Sequence, residues 1–206
     1  MKSSYSQQSM EQGLRRRIKL EDSVGLGAAR LLAVSKSETQ VVEASKSLML
    51  SCARLEALKT ELSVITRGSY VRPNKLRLAE VSLTELRIPL AWRDRDLSLG
   101  DGRRFAIFCT VSSGAQILDT GVKIVDRNCA DLAFSEVFTF CNMKPEFDIK
   151  LDVYIHKLRR ERSGAGPRNW FQRIKRNKFL NQRKALNFKL LTTKHLTVDD
   201  CSGRVK

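Results

Sequence analysis

The stretch "FDIKLDVYI", residues 147–155, alternates without a break. In an extended chain Phe147, Ile149, Leu151, Val153 and Ile155 face one way, and Asp148, Lys150, Asp152 and Tyr154 the other. Side chains of a strand change face at every residue, so this stretch reads as a strand with one side laid on a core. The same period of two recurs upstream. Leu86, Ile88, Leu90 and Trp92 alternate, as do Phe105, Ile107, Cys109 and Val111. Leu118, Thr120, Val122 and Ile124 follow, then Phe138 and Phe140. Downstream, "FKLLTTKHLTV" at 188–198 reads as a further strand. About six short strands with Gly, Asp and Asn in their turns point to an antiparallel sandwich. The closing "DDCSGRVK" comes sooner than the end of a complete sandwich is expected, so the sandwich is read as incomplete.

Before residue 67 the period is different. Residues 10–66 read as helix, and from residue 38 the pattern is strong. Val41, Leu48, Leu55 and Leu62 recur every seven residues, and so do Ala44, Ser51, Leu58 and Ile65. Together they form a seam with one polar member. The earlier helical segment offers Leu14, Ile18, Val24, Leu31 and Leu32 as its stripe, although Gly25 and Gly27 each weaken a helix by roughly 1 kcal/mol. "SKSET" at 35–39 is the connection, with Ser37 as N-cap. The expected fold is therefore α+β. An antiparallel, coiled-coil-like helical hairpin (10–66) leads through a linker (67–78) into an antiparallel sandwich (79–206) that carries a basic insertion at 157–186. A seam this apolar has to be buried, and packing within the hairpin accounts for it. Pairing with a second chain is the alternative.

Of the net charge of +16, most is local. Residues 1–75 hold 13 bases and 7 acids, residues 76–155 hold 10 and 12, and residues 156–189 hold 12 and 1. The concentrated part is "RRERSGAGPRNWFQRIKRNKFLNQRKALNFK", 159–189, with Glu161 as its single acid. A charge gathered on one segment belongs to binding or targeting rather than to the fold. The five cysteines include no C-x-x-C pair, which argues against zinc and against a disulfide framework. Cys109 and Cys141 sit among apolar residues and are expected to be buried thiols. With no signal-like start and no apolar run near 18 residues, a soluble intracellular protein is expected.

Nothing in the chain has the pattern of catalysis. The two histidines, His156 and His195, fall on strand positions with no nucleophile or metal partner arranged beside them. No phosphate-binding glycine loop is present, and "GLG" at 25–27 does not follow a strand. Asp94, Asp96 and Asp101 could supply part of a calcium site, but the loop after residue 155 brings Lys157, Arg159 and Arg160, which repel the ion. Asp126 and Asp131 read as turn residues. The expectation is no enzyme, no cofactor and no metal.

The order of a helical hairpin, a short linker and then "VSLTELRIPLAWRD" resembles the anillin and rhotekin family, in its anillin homology region. "RLLAVSKSETQVVEASKSLMLSCARLEALKTEL" is similar to the family's Rho-effector hairpin. "AIFCTVSSGAQILDTGVKIVDRNCADLAFSEVFTF", "PEFDIKLDVYIHKL" and "NFKLLTTKHLTVDD" are similar to its C2-type sandwich. The family's sandwich continues further and a pleckstrin-homology domain usually follows, so the chain is expected to be truncated. The resemblance implies a scaffold that binds a Rho-family GTPase in its GTP form, with Ala44 and Glu61 at the expected contacts. It also implies binding of acidic phospholipids such as phosphoinositides, and partners in the cortical actomyosin and septin cytoskeleton, as in cytokinesis. The places expected are the cytoplasm, the cell cortex and contractile ring, and the interphase nucleus.

For the basic segment three uses stay open. On an acidic membrane, Arg168, Arg173, Lys175, Arg176, Lys178, Arg183 and Lys184 would meet the headgroups, while Trp170, Phe171 and Ile174 enter the interface. "RIKRNK" has the composition of an importin-binding address. As a nucleic-acid-binding module the segment would contact phosphates, with Trp170 and Phe171 stacking on bases.

Overall fold

The computed structural model describes residues 2–67, 79–90, 103–144, 146–158 and 185–201. Two long helices come first, α1 (Lys2–Val34) and α2 (Glu38–Thr66). They are joined by Ser35, Lys36 and Ser37. Ser37 caps α2, its hydroxyl accepting the Gln40 amide at 3.2 Å, as the sequence suggested. The row Ala44, Ser51, Leu58 and Ile65 is buried as expected, but it is consumed by α1 within the same hairpin. The facing row on α1 runs Leu14, Ile18, Glu21, Gly25, Ala28, Leu32 and Ser35, all buried or half-buried. Its steps of four and three match the partner's heptads.

Gly25 and Ser51 explain each other. A Cβ on Gly25 would lie 3.2 Å from the Ser51 hydroxyl, so the helices are in close contact there. Ser51 is 0% exposed, and its hydroxyl donates to the Glu21 carbonyl at 2.8 Å. The polar member of the seam therefore ties one helix to the backbone of the other. Val24 and Leu31, expected in the α1 stripe, are 42% and 45% exposed. They stand one position before Gly25 and Leu32 on the helix, rotated by about 100° onto the outer face.

Nine strands are described: β1 (Ala79–Leu83), β2 (Leu86–Pro89), β3 (Arg104–Ser113), β4 (Gln116–Asp119), β5 (Lys123–Asp126), β6 (Asp131–Phe134), β7 (Phe138–Met143), β8 (Ile149–Lys157) and β9 (Lys189–Leu196). All pairings are antiparallel. One layer has the order β4-β3-β8-β9, with β5 also on β3; the facing layer consists of the pairs β1-β7 and β2-β6. Between the layers lies a core of Ile107, Cys109 and Val111 from β3, Ile149, Leu151 and Val153 from β8, and Leu132, Phe134, Phe138, Phe140 and Met143 opposite. The outcome is a helical hairpin followed by a sandwich, the α+β layout read from the sequence.

Two details depart from the sequence reading, at the run Leu118–Ile124 and at Cys141. The run Leu118–Ile124 is two strands, not one. At the break Thr120 takes a place in the ladder with its side chain, its hydroxyl accepting the Cys109 amide at 2.9 Å and donating to the Gly121 carbonyl at 3.0 Å. The extra residue shifts the register, so Val125 packs against the core while Ile124 is exposed. Cys109 is buried, which pushes its thiol up to about 12, with Glu136 adding to the shift. Cys141, by contrast, is exposed, because Phe138 and Phe140 take the inward positions of β7 and leave the alternate ones outside. Asp126 is a turn residue as read, accepting the Asn128 amide at 2.9 Å.

The polar face of "FDIKLDVYI" meets solvent at Asp148 and Lys150 but is covered from Asp152 onward. The hairpin lies on it. Val42 and Leu50 of α2 pack with Ala106 and Phe108 of β3 and with Leu158 and Phe188. Phe108 stacks on Tyr154 at 5.2 Å between centroids and meets Phe188 edge-on at 4.9 Å. Burial pushes the Tyr154 phenol above its ordinary pKa, with the neighbouring Asp152 carboxylate adding to the shift. Asp152 is itself buried and is satisfied by Thr193 at 2.6 Å and Lys150 at 2.7 Å.

Lys46 clamps this junction. It is 6% exposed, and its ammonium donates to the Thr120 carbonyl, pairs with Asp119 at 2.7 Å, and lies 5.4 Å from the centre of the Phe108 ring. Arg54 reaches the other Asp119 oxygen at 2.6 Å and the Ile117 carbonyl at 3.0 Å. Arg104 of β3 pairs with Glu38 at the start of α2 at 2.7 Å. Removing one member of a buried pair strands the other, whereas replacing both with apolar groups is often neutral. Asp119→Ala is therefore expected to cost about 3 kcal/mol in chemical denaturation of the whole chain, and the double variant Lys46→Met, Asp119→Leu to recover most of that loss.

Candidate functional site

With the seam internal and one side of α2 laid on the sheet, what the hairpin itself can offer a partner is the remaining helix surface. On α1 that surface is more apolar than a solvated face requires. Leu20, Val24, Leu31 and Val34 are exposed, and together with Gly27 they follow steps of four and three. This second stripe is visible in the sequence once the buried row is set at Leu14, Gly25 and Leu32, for it lies one residue earlier throughout. On α2 a shallow groove of about 520 Å³ is lined by Cys52, Leu55, Glu56, Lys59, Thr60 and Ser63.

The two hairpin residues singled out from the sequence have different settings. Glu61 is half-buried and lines a wide cleft between α2 and the end of the sandwich. Ala44 is 1% exposed in the seam and offers no surface to a partner. It can act on binding only by setting how α2 packs.

The nine residues singled out for lipid, Arg168, Trp170, Phe171, Arg173, Lys175, Arg176, Lys178, Arg183 and Lys184, lie outside the described residues, as do Ile174, the calcium candidates Asp94, Asp96 and Asp101, and most of the linker. Both flanks of the basic segment are described, however, and both are anchored. β8 runs through Lys157, and the buried Leu158 donates its amide to the Arg104 carbonyl at 2.9 Å. On the other side the Leu186 amide donates to the Ser45 hydroxyl of α2 at 2.8 Å, and Phe188 is buried against Phe108. The His156 Nδ1 lies 2.9 Å from the Asn187 carbonyl, joining the two flanks. Periodicity could not reveal this arrangement, because the anchors are isolated apolar residues at the edge of a polar stretch. His195 pairs with Asp148 at 2.9 Å on the exposed side of the sheet. Among the described residues no group of three His, Cys, Asp or Glu side chains is placed to hold a metal, and no helix is long and apolar enough to cross a membrane.

Comparison with known proteins gives the same reading from a different direction. The family described as "Cell division protein anillin" matches residues 78–202. Rhotekin-2 of Mus musculus is 34% identical over 157 residues, covering 68% of this chain and 26% of its own length. Rhotekin-2 of Danio rerio is 30% identical over 174 residues, 81% of this chain and 27% of its own length. Rhotekin of Mus musculus is 28% identical over 179 residues, 80% of this chain and 32% of its own length. The chain thus spans about a quarter to a third of the length of these relatives. A solved structure titled "CC2D1B coordinates ESRCT-III activity during the mitotic reformation of the nuclear envelope" matches over 96% of this chain and 76% of its own at a TM-score of 0.28 and 9% identity, too low to carry an argument. The family match takes in every strand and the anchored flanks of the basic segment, and the rhotekin matches cover most of the chain: it belongs to the anillin/rhotekin family.

Proposed function

We propose that this chain is a non-enzymatic effector module that binds a Rho-family GTPase in its GTP form through the hairpin and acidic phospholipids through the basic segment. The observation that carries the first half is the placement of Glu61. The hairpin spends its seam internally and one side of α2 on the sheet, yet leaves Glu61 on a face that a globular partner can reach. The family resemblance supports it, for the three relatives reported above are rhotekins. The second half rests on charge. Residues 156–189 carry 12 bases against one acid, and the two described flanks of the segment attach to the sandwich and to α2. A module with both activities would bring active Rho and the membrane to one site. From there it would connect Rho signalling to cortical cytoskeletal partners, actomyosin and septins, as in cytokinesis.

The test of the first half is capture of the chain by GTP-loaded and GDP-loaded Rho. Binding to the GTP form alone is expected, and equal binding to both forms would sink the effector reading. Glu61→Lys should weaken capture at least tenfold without changing helix content by circular dichroism, because the carboxylate makes no ion pair within the described chain.

For the second half, replacing Arg173, Lys175, Arg176 and Lys178 with Gln should cost up to ~4 kcal/mol of affinity for acidic liposomes, at about 1 kcal/mol per contacting base. Trp170→Ala with Phe171→Ala should cost affinity that added salt does not reproduce, since apolar burial is not screened. Liposome binding unchanged in the quadruple variant, with nuclear accumulation lost in cells, would make the segment an importin address instead.

A further inference from the structure

The face of α2 that carries Glu61 forms one wall of a cleft, and the sandwich forms the other. The cleft has a volume of about 970 Å³. On the helix side it is lined by Glu56, Thr60 and Glu61, with Arg17 from α1. On the sandwich side the wall is the β3–β4 turn, Ser113–Gln116, and the end of β7, Cys141–Lys144. A second recess of about 440 Å³ shares Arg17, Gln116 and Cys141 and continues inward to Arg54 and Leu58.

Two left-handed residues shape the sandwich wall. Gly114 has φ +57° in the tight turn, where a Cβ would meet nothing within 4 Å. Asn142 has φ +60°, one of two non-glycine residues with positive φ among those described. It breaks the alternation of β7, so that Met143 is still inward while Lys144 is exposed. The Asn142 kink coincides with the register shift between β1 and β7, and it turns Lys144 toward the cleft.

The charges of the cleft identify its occupant. Arg17, Glu56, Glu61 and Lys144 line it, and among the described residues none of the four side chains has an ion pair or hydrogen bond within the chain. Nucleic acid or an acidic membrane would call for one sign of charge. Unpaired charges of both signs on facing walls suit the mixed rim of a protein surface. Size points the same way. A stable protein interface takes roughly 20–30 residues a side, far more than the α2 face of the cleft supplies. A partner that grips Glu61 with that footprint extends past the α2 face, and the sandwich wall is the surface that faces Glu61 across the cleft.

We propose that the GTPase-binding surface is composite, with the Gly114 turn and Lys144 of the sandwich touching the same protein partner as Glu61 of the hairpin. This rests on the Rho-effector reading above. The test uses the full chain and measures affinity for GTP-loaded Rho by calorimetry. Lys144→Glu is expected to weaken binding about tenfold with an unchanged melting temperature. Lys189→Glu serves as control: it lies on β9 opposite Ile155, at the other end of the sheet, and should bind as the parent does. Rho should also slow hydrogen exchange in both residues 113–116 and residues 56–61. Full affinity in Lys144→Glu, together with loss in Glu61→Lys, would confine the site to the hairpin and overturn the composite surface. Failure of the unaltered chain to bind either nucleotide form would overturn the effector reading itself, and the composite site with it.

Discussion

Lys46 brings a full positive charge to a place with almost no water, and the arrangement of the molecule follows from how that charge is satisfied. A bare ammonium there would cost several kcal/mol. It is met by the Asp119 carboxylate, the Thr120 carbonyl and the face of Phe108, all of them on the sandwich. None of these groups is in place unless α2 lies on the β3–β8 surface. Around the clamp, Val42, Leu50 and Phe188 remove apolar surface from water, which supplies the attraction, while the charged groups fix where along the sheet the helix sits. The break after β4 serves the same end. It puts Thr120 where its carbonyl faces Lys46 and its hydroxyl still closes the ladder to Cys109.

That docking is also what the periodicities could not show. The alternation from Phe147 to Ile155 gave the correct inward face, because a core on one side of a strand leaves a period of two. The outward face carries Asp152 and Tyr154, and polar residues on a sheet read as solvated. Here each is covered and matched instead, Asp152 by Thr193 and Lys150, Tyr154 by Phe108. Likewise Lys46 looks like one more solvent-facing lysine of a helix. Its partner is 73 positions away in the chain, beyond the reach of any local pattern. The hairpin was legible because its signals are local: a seven-residue repeat and a serine cap. The misplacement of Val24 and Leu31 came from choosing between two apolar stripes only 100° apart, a choice that Gly25 decides through its approach to Ser51.

The candidate site divides along the same line. Glu61 could be named from the resemblance, but that it shares a cleft with the β3–β4 turn depends on the docking. Ala44 was named with it and already stood on the seam in the sequence; its burial means that any influence on a partner passes through helix packing. The composition of the basic segment was plain in the sequence. What the fold adds is the attachment of its described flanks, at Leu158 and Leu186, to the surface that α2 covers.

The docking of α2 on the sheet is the claim from which the clamp, the cleft and the anchored flanks all follow. It can be seen directly in solution by nuclear Overhauser contacts in methyl-labelled protein. The account predicts cross-peaks from the methyl groups of Val42 and Leu50 to the ring protons of Phe108 and Phe188. If those methyl groups showed contacts only within the hairpin, with the Phe108 ring seeing only strand neighbours, the docking and everything built on it would be contradicted.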